Sequence, residues 1–290
     1  MKSNQPSRRA FRSANIFALG LTLSASLAVW GVPVAAQETA APPSLTYADL
    51  VDLAEDAPLV IRARITDQAR VKAERAPGLA PGYARLYLEA ETTALISGNA
   101  PIGESLKYLV DVPLNAKGKA PKLKKQDVIL FARTVPGRPG EIQLVEKGAQ
   151  LSWSETLSSR LRPILAELAS ADTPPVVTGV RDALSVRGNL VGESETQFFL
   201  MTENDMPVSM TVLRRPNQPV RWGVSWTELV DQSAGTVQPE TIAWYRLACS
   251  LPQTLPQDAN LARDGEARMR AAQDYAYVMR ELGECRRTRG

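Results

Sequence analysis

The sequence predicts an α+β fold, with an N-terminal barrel-like β domain followed by an antiparallel sheet domain and C-terminal helices. Three observations predict it. Strand-like runs separated by Pro and Gly turns fill residues 59–145. Apolar residues recur at helical spacing over 46–55, 154–169 and 264–282. A Pro-Pro breaker at 171–175 stands between two strand-rich blocks. The expected organisation is a signal segment at 1–36, a leader at 37–44, a β-barrel domain at 45–153, a helical linker at 154–173, and a sheet-plus-helix domain at 174–290.

The signal segment is read from its charge and apolarity. Lys2, Arg8, Arg9 and Arg12 are basic, and no acid precedes Glu38. An apolar run covers 14–32, and Val34-Ala35-Ala36 offers small residues for cleavage. Ser7-Arg8-Arg9-Ala10-Phe11 resembles a twin-arginine export motif, with Arg12 where an apolar residue is usual. The general secretory route also fits, as does retention of the run as a membrane anchor. Pro33 and the Ala-rich exit favour cleavage, which leaves no stable span. The expected location is periplasmic or secreted. Gln37–Ser44 reads as a disordered leader.

Thr46–Glu55 predicts a helix with Leu50, Val51, Leu53 and Ala54 on one side and Asp49, Asp52 and Asp56 on a solvated face. Strands are expected at 59–65, 83–96, 106–112, 128–132 and 142–145. In the second, Leu86, Leu88 and Ala90 share one face by the two-residue repeat. Ser154 caps an expected helix to Ala169, with Leu157, Leu161, Ile164, Leu165 and Leu168 as its stripe and Pro163 inside it. Strands follow at 176–180, 183–186, 196–202, 208–213 and 220–226. Residues 239–249 read as a helix, with a strand as the alternative, and Asp264–Leu282 as a terminal helix ended by Gly283.

The chain holds 34 Lys+Arg against 31 Asp+Glu. The signal segment carries four of those bases and no acid, so residues 37–290 have 30 bases, 31 acids and a net charge of −1. The overall basic balance therefore argues for no nucleic-acid or membrane-surface partner. The chain contains no histidine. That excludes Ser-His-Asp and Cys-His catalysis and His-built metal sites. The two cysteines, Cys249 and Cys285, are too few for a thiolate zinc or iron–sulfur site, and in an exported chain they read as one disulfide. No nucleophile elbow, phosphate-binding loop, dinucleotide fingerprint or EF-hand is present, and no cofactor is expected.

Two groups stand out as ligand-binding candidates. Lys117, Lys119, Lys122, Lys124 and Lys125 form a basic loop suited to a polyanion, though no aromatic residue lies within it to stack a base or sugar. Trp222 and Trp226 share one strand face, as a platform or as core, and Arg214, Arg215 and Arg221 gather at the adjoining hairpin to grip a phosphate or carboxylate. No catalytic residue is assigned. The expected function is a non-catalytic envelope protein binding another envelope protein or an anionic or glycan ligand. The alternative is a histidine-free hydrolase of wall or carbohydrate material, using a Ser–Lys dyad or paired carboxylates.

Two resemblances accompany these residues. The one helix and five strands of 45–153 resemble an OB-type or netrin-like barrel, whose loops in known cases bind oligonucleotides or oligosaccharides. Residues 197–231, Trp244–Cys249 and Asp274–Cys285 resemble exported proteobacterial proteins of unknown function, which implies location only.

Overall fold

The computed structural model describes residues 45–226 and 237–289. The signal segment and leader expected at 1–44 lie outside the described residues, as does the stretch 227–236. The described residues form one compact unit.

The first helix, α1, spans Tyr47–Asp56. Thr46 and Asp49 cap it reciprocally, each side chain accepting from the other's backbone N–H, at 3.1 and 2.8 Å. Five strands follow: β1 (Leu59–Arg70), β2 (Tyr83–Ser97), β3 (Ser105–Pro113), β4 (Asp127–Thr134) and β5 (Ile142–Leu144). Their antiparallel order is β3-β2-β1-β4-β5, and a short β6 (Gln150–Ser152) continues beside β5 on the same edge of β4. β1 and β2 are long, and three register shifts bend them. The bend brings β3 round to β5, where one parallel bridge, Lys107 to Glu141, closes the sheet at one end.

The two-residue repeat fills the closed interior. Ile61, Ala63, Ile65, Leu86, Leu88, Leu106, Val110 and Leu130 point inward and are buried. Leu123, in the β3–β4 loop, packs into the same core. Val60, Ile129 and Phe131 face the other way and join a second core.

That second core is built by α1, α2 (Glu155–Leu168), α3 (Ile242–Ala248), α4 (Gly265–Leu282) and a second antiparallel sheet. The sheet runs β10-β9-β8-β7, from Arg221–Ser225, Val208–Arg214, Ser194–Thr202 and Val177–Arg187. The Pro-Pro breaker lies between α2 and β7, and the second core draws on residues from both sides of it. Two strands expected at 176–180 and 183–186 are one strand, because a bulge between Val180 and Asp182 absorbs the interruption. Of the run at 239–249, Ile242–Ala248 is helical, capped by the Thr241 hydroxyl on Trp244 N–H, and the helix starts after Thr241 rather than at Pro239.

The C-terminal segment is sewn down at several points. Cys249, ending α3, is bonded to Cys285, just beyond α4. Trp244 Nε1 donates to the Leu282 carbonyl at 2.7 Å. Phe198 and Tyr275 meet edge to face at 5.5 Å. The acidic face of α1, expected to be solvated, is instead the seat of the chain end. Asp49 receives Thr288, and Asp52 receives the Arg287 guanidinium at 2.7 and 3.1 Å together with the Tyr245 hydroxyl.

Candidate functional site

The most built concavity lies where the barrel fails to close. β3 is bridged once, at Lys107, to Glu141 just before β5, and a cleft of about 630 Å³ lies along these two walls. One wall is β3, from Lys107 to Asp111, backed by Arg85 and Tyr87 of β2. The other is the run from Glu141 to Gly148.

The ladder geometry determines which backbone groups face this cleft. Thr92 N–H donates to Glu104 and Leu114 N–H to Gly82, so even-numbered residues of β3 bond to β2. Odd-numbered residues turn their N–H and C=O to the opposite edge. Lys107 N–H accordingly donates to Gly140 at 2.8 Å. The next two odd residues, Leu109 and Asp111, present their amides and carbonyls to the cleft. Among the described residues, strand pairing on this edge stops at Lys107. On the facing wall, Val135 donates to Glu141 and Val145 to Phe131, so Leu144 turns its backbone from β4 toward the cleft.

The side chains add a mixed field. Asp111 accepts two bonds from Arg85, at 2.7 and 2.9 Å. This pairing holds the Asp111 carboxyl below the ordinary carboxylate range, and Lys147 adds to the effect. Glu141 pairs with Arg138 at 3.2 Å, and Glu146 with Arg289 at 2.5 Å. Every acid lining the cleft is thus bonded to an arginine, Lys107 pairs with Glu89 at 3.6 Å, and Lys147 leaves the field mildly positive. Leu109 is 49% exposed on the cleft wall, an apolar residue at a position where its neighbours Lys107 and Asp111 are charged. The lining includes no Ser, Thr or Cys.

Arg289 also donates to the Gly148 carbonyl at 3.0 Å. The chain end therefore fixes the 146–148 turn that forms part of the cleft wall.

The residues singled out from sequence lie elsewhere. Trp222 is buried in the second core and Trp226 is half-buried against it, so their shared face is a packing face and not an open platform. Arg214 is bonded to the buried Asp274 at 2.6 Å. Arg215 and Arg221 are exposed at the β9–β10 hairpin, apart from that pair. Lys117, Lys119, Lys122, Lys124 and Lys125 are all exposed in the β3–β4 loop. The Asn115 side chain holds the Lys117 and Lys119 amides, Gln68 holds those of Leu123 and Lys124, and Lys124 pairs with Asp67. This loop covers one end of the barrel and lines no part of the cleft.

Sequence reasoning passed over Leu109, Lys107 and Lys147. The one signal available was Leu109 itself, breaking the polar face of Ser105, Lys107 and Asp111. No protein-family model matches this chain, and no curated protein matches it either.

Proposed function

We propose that this chain is an exported, non-catalytic binding module whose ligand seat is the cleft between β3 and β5. The observation that carries the reading is the cleft's construction, with two walls of backbone edge around an exposed Leu109. Its carboxylates suit binding better than acid–base chemistry. A general acid needs a raised pKa, and Asp111 is held low by Arg85. Export is supported by the basic–apolar–small pattern of residues 1–36 and by the Cys249–Cys285 bond. No helix among the described residues is long and apolar enough to cross a membrane.

The test is an NMR titration of the isotopically labelled 37–290 chain with three probes: short acidic peptides, chitotetraose and inorganic phosphate. Amide shifts clustered on Leu109, Asp111, Gln143 and Lys147, and weakened at least fivefold in affinity by Lys147→Glu, are expected for one probe class. Shifts confined to another face, or turnover of chitotetraose, would overturn the reading.

A further inference from the structure

We infer that the end of the barrel carrying the β3–β4 loop docks on an anionic lipid bilayer surface. The inference is independent of the cleft. Antiparallel order brings two connections to that end, because β1 and β3 finish there and β2 and β4 begin there. The end of β1 and the connection after it supply Arg70, Lys72 and Arg75. The β3–β4 loop supplies Lys117, Lys119, Lys122 and Lys125. All seven are exposed, and none has an ion pair among the described residues.

The acids nearby offset little of this charge. Asp67 is paired with Lys124, Asp127 with Arg64 and Asp111 with Arg85. Glu74 is the only acid within residues 71–82 and 114–126. The net charge of −1 over residues 37–290 conceals this end, because it averages one basic face against acids carried elsewhere.

The lysine loop is held in place without its ammonium groups. The Asn115 carbonyl oxygen accepts from the Lys117 and Lys119 amides, at 3.0 Å each. Gln68 accepts from the Leu123 and Lys124 amides and donates to the Pro121 carbonyl. Leu123 is sunk in the barrel core, and Leu114 N–H donates to the Gly82 carbonyl at 2.8 Å, tying the loop to the start of β2. The backbone is therefore ordered while the charged tips stay in solvent.

This arrangement fits a surface of many phosphates better than one bound anion. A single phosphate or carboxylate calls for converging guanidinium forks. Here five of the seven cations are lysines, and they are spread over two connections. Clusters of this size attach to anionic leaflets, each cation strengthening attachment about fivefold. Between the charges stand exposed Pro77, Ala80 and Pro81, and Tyr83 at the start of β2 is 42% exposed. A tyrosine among cations presents an amphipathic ring at headgroup level. The lysine loop itself holds no aromatic residue on which a base could stack.

The test is cosedimentation of the disulfide-bonded 37–290 chain with vesicles of phosphatidylglycerol and phosphatidylcholine in equal parts, and with vesicles of phosphatidylcholine alone. Attachment to the first and not the second is expected. It is expected to be lost when sodium chloride rises from about 0.05 M to about 0.5 M, where the screening length shortens to about 4 Å. The triple change Lys117→Glu, Lys119→Glu and Lys122→Glu is expected to weaken attachment at least tenfold, and Tyr83→Ser about threefold. The same charge change at the exposed Arg215, Arg221 and Arg263, each to Glu, is expected to weaken it less than threefold. Equal losses from the two triple variants would make net charge the cause and overturn the inference, as would no attachment to the anionic vesicles at low salt. If the lysine variant fails to fold, Arg70→Gln, Lys72→Gln and Arg75→Gln together decide, with a fivefold loss or more expected and an unchanged affinity overturning the inference. A deoxythymidine oligonucleotide bound through the same lysines more tightly than the vesicles would assign the face to nucleic acid, and would overturn it too.

Discussion

Asp49 holds Thr288. The carboxylate of the third residue of α1 accepts from the Thr288 backbone N–H at 3.0 Å and from its hydroxyl at 2.6 Å, while still capping α1 at Thr46. Residues near the two ends of the described chain thus share one buried acid. Asp49→Ala is expected to cost about 2–3 kcal/mol, from a lost helix cap plus stranded donors. Urea unfolding measures the loss, and carboxypeptidase trimming of the freed end reports the release of Thr288 and Arg289.

The same site predicts an acid sensitivity. Burial pushes the Asp49 carboxyl up, but hydrogen bonds from Thr288 and Thr46 together outweigh it and bring the pKa to about 2. A carboxyl held below its unfolded value of about 4 adds stability that is complete above that value and is lost as pH falls toward 2. The contribution is about 2 kcal/mol. Unfolding free energy measured from pH 5 to pH 2 is expected to fall less steeply in Asp49→Ala than in the parent chain.

The Cys249–Cys285 bond closes a loop of 36 residues that contains α4. Removing it through the paired Cys→Ser variant is expected to cost about 4 kcal/mol in the chain-entropy model. The urea midpoint of the parent chain in dithiothreitol is expected to drop to that of the variant. An unchanged midpoint would mean that Trp244, Tyr275 and the Asp49 site hold the C-terminal segment unaided.

Asp274 on α4 is fully buried and bonded to Arg214 of β9 and to the Thr196 hydroxyl of β8. Arg214→Ala leaves that carboxylate with the Thr196 hydroxyl but without its cation and is expected to cost about 3 kcal/mol, a stranded buried charge being more expensive than a missing pair. Arg214→Ala combined with Asp274→Leu is expected to recover part of this loss. Thermal unfolding of the three variants checks the cycle.

Gly98, immediately after β2, tests the tightest backbone approach. Its φ is +119°, and a Cβ there would lie 2.6 Å from the Pro58 carbonyl and 2.7 Å from Leu59 Cδ2. Gly98→Ala is expected to cost about 2 kcal/mol or more. Gly118 also has positive φ but open space around it, so Gly118→Ala is expected to cost only about 1 kcal/mol. Chemical denaturation of the pair separates the steric part from the conformational part.

Much of the fold was legible because alternation is a local signal. Leu86, Leu88 and Ala90 were readable as one inward face from sequence and are buried together in the barrel. The terminal helix was equally plain from Ala267, Ala271, Tyr275, Val278 and Leu282. Gln150–Ser152 was not, since three residues carry no period and that strand exists only through its pairing with β4. Spacing placed Asp49 and Asp52 on one helix face, but what covers that face arrives more than two hundred residues later. Trp222 and Trp226 were paired correctly on one face, and only packing determined which way that face turns.

The candidate site was the least legible part. Its atoms are mostly backbone, and every residue has those. What sets the Leu109 and Asp111 amides apart is ladder parity, which turns odd-numbered residues of β3 away from β2.

By itself, the sequence determined the α+β class, the strands of the barrel interior, the capped helices, the exclusion of histidine chemistry and the pairing of its only two cysteines, because periodicity, capping and composition are properties of neighbouring residues. The tertiary structure decided the shared second core, the seating of the chain end on α1 and the cleft itself. Those depend on how distant strands curve and where their hydrogen-bond ladders stop, which no local pattern encodes.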